Sequence, residues 1–204
     1  MNIHIKKIRP ALIALCIMLL TGCSLLAPVD TTTRKYVLDR IPLDLPLERT
    51  RTSSILVLAP EATPLYDTTQ MVYSTHPHQV GYFSKNEWAK TPSQIMLPLI
   101  VETLRSTHYF GEVLSAPYLV KRTYTLRTEI LELKHDFTSE PSMLRLTLRC
   151  YLSRDANNQV VATKQISMHE PMREKNAYAG VVAANDAMEK ALRELAKFVI
   201  ENAN

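Results

Sequence analysis

The sequence predicts an α+β fold: a two-layer sandwich with a mainly antiparallel sheet and two helices packed on one face. Three observations carry this expectation. Leu144, Leu146, Leu148, Cys150 and Leu152 alternate with Arg145, Thr147, Arg149 and Tyr151, the period-two pattern of a half-buried strand. From about Asn176 to Asn202, Val181, Ala184, Met188, Ala191, Leu195 and Phe198 recur at helical spacing, widened by Leu192 and Val199. Thr91-Pro92-Ser93-Gln94 has the composition of a helix start. The outline is β, β, hairpin, α, several antiparallel strands, α.

Taken in order, Arg34 to Asp39 reads as a first strand and Ile41 to Thr52, with Pro42 and Pro46, as a loop. Ser54 to Ala59 is apolar and rich in branched residues before Pro60, which fits a buried strand. Met71 to Ser74 and Gln79 to Phe83 flank Thr75-His76-Pro77-His78, a hairpin around a proline-containing turn. In the first helix Thr91 is the expected N-cap, Pro92 occupies N1, where its missing N–H costs nothing, and Gln94 completes a capping box. Ile95, Met96, Leu99, Ile100 and Leu104 form its apolar stripe, Pro98 is expected to kink it, and it should end near His108.

Phe110 to Leu114 is a short strand. Along Thr123 to Asp136 the apolar set moves from even positions (Tyr124, Leu126) to odd ones (Leu131, Leu133), which predicts a bulge or a strong twist. Ser142 to Arg154 is the strongest strand. It is followed by a turn at Asp155-Ala156-Asn157-Asn158 and a paired strand from Val160 to Met168, with Val160, Ala162, Ile166 and Met168 inward. The closing helix puts Asp186, Glu189, Lys190, Arg193, Glu194 and Lys197 opposite its apolar stripe, so it is expected to cover the sheet.

Before this domain lies a targeting signal. Met1 to Arg9 carries Lys6, Lys7 and Arg9 and no acid, and Pro10 to Leu20 is apolar. About 11 apolar residues is too short a run to span a bilayer, which needs roughly 20. Leu20-Thr21-Gly22-Cys23 resembles a lipobox, in which the Cys thiol is acylated and becomes residue one. Each buried CH₂ contributes about 0.8 kcal/mol, so several acyl chains anchor a protein firmly. The expected organisation is a lipoprotein signal peptide over 1–22, a lipidated Cys23 with tether over 23–33, and one domain over 34–204.

Removing the signal removes three of 24 basic residues and none of the 20 acidic ones, leaving 21 against 20. A near-neutral mature chain argues against an electrostatic nucleic-acid binder. Cys16 leaves with the signal and Cys23 carries lipid, so Cys150 stays alone, expected as an inert core residue. With four glycines in all and no cluster of them, the chain has no phosphate-cradling loop.

No constellation for catalysis is visible, and no metal or cofactor is expected. His76 and His78 sit in a turn without the further ligands a metal site needs. His108 fits a helix C-terminus. His135 and His169 are expected to be solvated near strand ends, as are the carboxylates of Asp136, Glu140 and Glu170. There is no G-x-S-x-G elbow. Tyr66, Tyr73, Tyr82, Phe83, Trp88, Tyr109 and Phe110 cluster in sequence. Trp88 and Phe110 favour the core, whereas Tyr73 and Tyr82, with Phe83 and Trp88 beside them, are the candidate partner-binding residues on a hairpin edge.

From Leu65 to Val113 the pieces Tyr66-Asp67, Met71-Val72-Tyr73, Val80 to Pro92 with Asn86-x-Trp88-Ala89, Pro98-Leu99 and Phe110-Gly111-Glu112-Val113 resemble the ABC-type transport auxiliary lipoprotein family. Ser74 departs from the basic residue that often follows the Tyr there. The resemblance implies a non-catalytic, lipid-anchored periplasmic component working beside ABC transporter subunits and an MCE-domain (mammalian cell entry) protein in envelope lipid transport. Ser24 after the acylated Cys resembles sorting to the outer membrane. A homo-oligomer stays open, and the alternative function is a periplasmic lipid-binding carrier, which would need an apolar cavity between helices and sheet.

Overall fold

The computed structural model describes residues 32–45, 51–115, 122–156 and 159–203. Cys23 and nearly all of the tether lie outside them. The elements run β1 (Arg34–Tyr36), β2 (Arg51–Val57), β3 (Glu61–Ala62), β4 (Gln70–Ser74), β5 (Gly81–Trp88), α1 (Pro92–Ser106), β6 (Phe110–Ser115), β7 (Tyr124–Asp136), β8 (Met143–Arg154), β9 (Gln159–Pro171) and α2 (Ala177–Asn202). The class is α+β as predicted, with both helices packed against one mixed sheet of these nine strands.

Strand β7 is the hub. One of its edges carries β8, and β8 carries β9, in antiparallel ladders of twelve Cα partners each. Its other edge is shared end to end by three short parallel strands: β2 against Tyr124–Leu126, β3 against Glu129–Ile130 and β4 against Lys134–Asp136. The sheet then forks, with β6 beyond β2 and β5 then β1 beyond β4. The long ladders make the sheet mainly antiparallel. The parallel pairings of β2, β3 and β4 with β7, β2 with β6 and β1 with β5 are an addition to the predicted outline.

The core follows the alternation in β8. Leu144, Leu146, Leu148, Cys150 and Leu152 are fully buried and face α2, which returns Ala184, Met188, Ala191, Leu195 and Val199. The alanines keep α2 close to the sheet, and each fully buried Leu contributes about 1.5–3 kcal/mol. The predicted shift of phase in β7 is a bulge: the register slips between Ile130 and Glu132. Before it Leu126, Thr128 and Ile130 are buried; after it Leu133 and His135 are.

Local signals were partly overridden. α1 begins at Pro92 with Thr91 as N-cap, but Thr91 makes no side-chain cap bond. Ser93 instead donates to the Pro60 carbonyl, so the helix start is tied to the chain after β2. α1 runs through Pro98 and ends at Ser106, where Thr107 Oγ1 donates to the Leu104 carbonyl and His108 takes a left-handed φ of 53°. In α2 the Asn176 side chain accepts from the Ala179 N–H at 2.8 Å, a working N-cap. β1 is shorter than predicted because the chain leaves the sheet after Tyr36 to meet α2. There Asn185 Oδ1 accepts from the Asp39 N–H at 2.9 Å and Asn185 Nδ2 donates to the Val37 carbonyl at 3.2 Å.

Three expectations fail outright. Val160 is half exposed, not inward, because the β8/β9 register slips between Leu152 and Ser153 and Val161 becomes the extra residue. His135 is 1 % exposed, not solvated, since the β7 bulge turns it to the helix side. Asp136 is also buried and is ion-paired to Arg145 at 2.6 Å.

Candidate functional site

The hairpin of β4 and β5 was the sequence-level candidate, and its residues divide between the two faces of the sheet. Val72 pairs with Tyr82 and Tyr73 with Gly81, while β4 lies beside β7 with Tyr73 opposite His135. Side chains paired this way share a face. Tyr73, Phe83, His135 and Phe137 therefore collect on one side. Ring centroids are 4.8 Å apart for Tyr73–Phe83, 5.3 Å for Phe83–His135 and 6.3 Å for Phe83–Phe137. Trp88 joins this group at 6.5 Å from His135, and it is 2 % exposed. Tyr82, paired with Val72, points to the other side and is 41 % exposed. Burial, with help from Glu132 and Tyr82, pushes the Tyr66 phenol up to about 12.

The four candidate residues thus have different access. Trp88 lies in the core, Tyr73 and Phe83 are half-buried, and Tyr82 with its neighbours Ser84 and Lys85 is exposed. Only part of the hairpin is a sheet edge. β4 is enclosed by β5 and β7, and β1 covers β5 at Asn86–Trp88. Gly81 to Lys85 is thus the stretch of β5 with no strand on its outer side among the described residues. Gly81 leaves room for the tip of Tyr73: a Cβ there would fall 2.9 Å from its Cζ. Ser74 is not a surface contact but a tie across the turn, its hydroxyl facing the carbonyls of His76 and Gln79.

Sequence reasoning missed His135. It lies among Phe83, Trp88 and Phe137 and under Gly180 of α2, and its Nδ1 has no hydrogen-bond partner among the described residues. Burial holds its imidazole down at about 4, so the ring is neutral at physiological pH. The signal was present, since His135 stands two residues from Leu133 once the bulge phase is applied. Asp136 faces the opposite way. Burial works against its charge, but the Thr138 hydrogen bonds and Arg145 outweigh it and hold its carboxyl below the usual range.

No described helix is long and apolar enough to cross a membrane. Among the described residues no group of three or more His, Cys, Asp or Glu could hold a metal ion. Cys150 is fully buried, and burial pushes its thiol up to about 12, which leaves no nucleophilic thiolate.

No curated protein matches the chain by sequence. Among solved structures it is similar to a Xanthomonas campestris protein of the DUF330 family, with 16% identity and a TM-score of 0.72 over 84% of this chain and 95% of that one. It is also similar to a hypothetical protein of Chlamydia trachomatis, with 11% identity and a TM-score of 0.53 over 75% and 98%. At such identities the likeness is one of fold. The family model for the ABC-type transport auxiliary lipoprotein component matches residues 36–199, from β1 to the last turns of α2. That match takes in both the hairpin and the helix whose Gly180 lies over His135, and the chain belongs to the ABC-type transport auxiliary lipoprotein family.

Proposed function

We propose that this protein is a non-catalytic accessory subunit of an ABC/MCE-type envelope lipid-transport system, anchored through Cys23 at the periplasmic face of the outer membrane. The observation that carries the reading is the family match over residues 36–199 behind a lipobox ending at Cys23. The role is mechanical. Acyl chains on Cys23 fix position, residues 24–33 set a reach of at most about 3.3–3.6 Å per residue, and the domain docks its partners. The Gly81–Lys85 edge of β5, which carries Tyr82, is the docking segment, because among the described residues no strand pairs with its outer side and an exposed aromatic ring lies beside it.

The interior weighs against the lipid-carrier alternative. The layer between α2 and β8 is filled by Leu144, Leu146, Leu148, Met188 and Leu195, all fully buried. A carrier needs an apolar chamber there of several hundred Å³.

Affinity capture of the full chain from solubilised envelopes is the direct test. Recovery of an MCE-domain protein with ABC transporter subunits is expected, and Cys23→Ser should release the protein from membranes. Repeated capture of neither class would overturn the assembly, and lipid co-purifying with the domain at unit stoichiometry would favour the carrier.

A further inference from the structure

β9 is the edge of the sheet farthest from the hairpin along the antiparallel ladders. It pairs with β8 and, among the described residues, with no other strand. Edge strands are commonly blunted by bulges, prolines or outward charges. Here the blunting stands at the two ends: the register slip at Val161 near the start and Pro171 at the finish. Between them the ladder to β8 runs without interruption from Ala162 to Pro171.

One bond fixes which backbone groups face outward. The Met172 N–H donates to the Ser142 carbonyl at 2.8 Å, one step past the Met143–Pro171 pair. Bonded and non-bonded pairs alternate along an antiparallel ladder, so the even-numbered residues of this stretch turn their backbone groups to β8. Thr163, Gln165, Ser167 and His169 turn theirs away from it, and all four residues are exposed.

Charge selects what fits along this edge. From Gln159 to Pro171 the strand carries one ammonium, Lys164, and one carboxylate, Glu170. Both point to the helix side, where Lys164 pairs with Glu194 at 2.7 Å and Glu170 with Lys190 at 2.7 Å. A second β9 laid antiparallel to the first must set outward backbone groups opposite outward ones. Lys164 then meets Glu170 of the second copy when the two-fold axis passes through Ser167. In that register Ser167 faces its own copy, Gln165 faces His169 and Ile166 faces Met168. The charges alternate in sign across the junction: Lys190 and Glu170 of one copy, then Lys164 and Glu194 of the other.

We infer that β9 pairs with β9 of a second copy of this chain, antiparallel about Ser167, giving one continuous sheet with both α2 helices on the same face. The β5 edge lies on the other side of β7, so the inference does not depend on the docking proposed above.

The test is sedimentation velocity of the full chain in a maltoside detergent over a concentration series. The interface is small, so a dimer of micromolar affinity is expected. Ser167→Pro withdraws an outward N–H and no bond to β8, so it should keep the fold and abolish the dimer. Lys164→Glu and Glu170→Lys each place like charges opposite one another and should weaken dimerisation more than about tenfold. An equimolar mixture of those two variants restores opposite charges at both positions and should dimerise again, a result that misfolding of either variant cannot imitate. A monomer at every concentration, an oligomer indifferent to Ser167→Pro, or a mixture that associates no better than its components overturns the inference.

Discussion

Gly180 lies so close over His135 that a Cβ on it would fall 2.6 Å from both Cδ2 and Nε2 of the imidazole. The contact joins the first turn of α2 to the aromatic group beneath the hairpin. An exposed helix position would gain about 1 kcal/mol from Gly→Ala. Here the sign reverses: Gly180→Ala should cost about 1–3 kcal/mol through overpacking. Denaturant unfolding of Gly180→Ala, His135→Ala and the double variant checks it. The two losses should not add, and additive losses would show that the ring is not what the methyl meets.

The same ring sets a pH dependence. Above about pH 6.5 His135 is neutral in both states, and stability should not depend on it. As pH falls below that, the unfolded chain takes up a proton that the folded chain refuses, so stability drops until the buried imidazole itself protonates near 4. The full loss is up to about 3 kcal/mol. In His135→Phe this part of the slope should vanish between pH 6.5 and 4, measured by unfolding at a series of pH values.

Asn185 fixes the incoming chain. Its side chain serves the N–H groups of Asp39 and Arg40 and the Val37 carbonyl, 145 to 148 residues away in sequence. Asn185→Leu leaves those backbone groups without their partner and should cost about 1–3 kcal/mol. Hydrogen exchange at the Asp39 and Arg40 amides should accelerate by more than exchange in β8. Uniform acceleration across the domain would contradict a local clamp.

Cys150 should be silent toward thiol reagents in the native state. It is fully buried between Thr128 and Lys164, and burial keeps the thiol protonated far above neutral pH. Labelling with an aromatic disulfide at pH 8 should proceed only at the rate of unfolding. Rapid labelling of the folded protein would contradict the buried placement.

Tyr82→Arg tests the docking edge. The side chain is 41 % exposed, so stability should change by no more than about 0.5 kcal/mol. Capture of transporter components should fall severalfold, as it does when an aromatic anchor is removed from an interface. Unchanged capture would move the docking surface elsewhere.

How far the sequence could be read varies by element, for physical reasons. The alternation in β8 and the stripe in α2 were plain because each buries one continuous face, and the bulge in β7 showed as a change of phase. The parallel pairings were not legible: β2, β3 and β4 meet β7 across long stretches of chain, and nothing local records which neighbour a short strand takes. Val160 was misplaced because the β9 bulge leaves no trace in a run of Val-Val-Ala. His135 and Asp136 were read from their residue types, which favour solvent, whereas the place of β7 inside the sheet, with Gly180 over His135 and Arg145 beside Asp136, decides their burial. For the candidate site, Tyr82 was found where expected at the surface and Trp88 inside.

The reliance of three early strands on β7 bears on export. β2, β3 and β4 join one sheet only when residues 124–136 are present, since β7 is the strand with which all three pair. A polypeptide emerging from its amino end therefore delivers β2, β3 and β4 before the strand that all three share. The sheet as a whole can therefore close only once more than half of the chain has emerged.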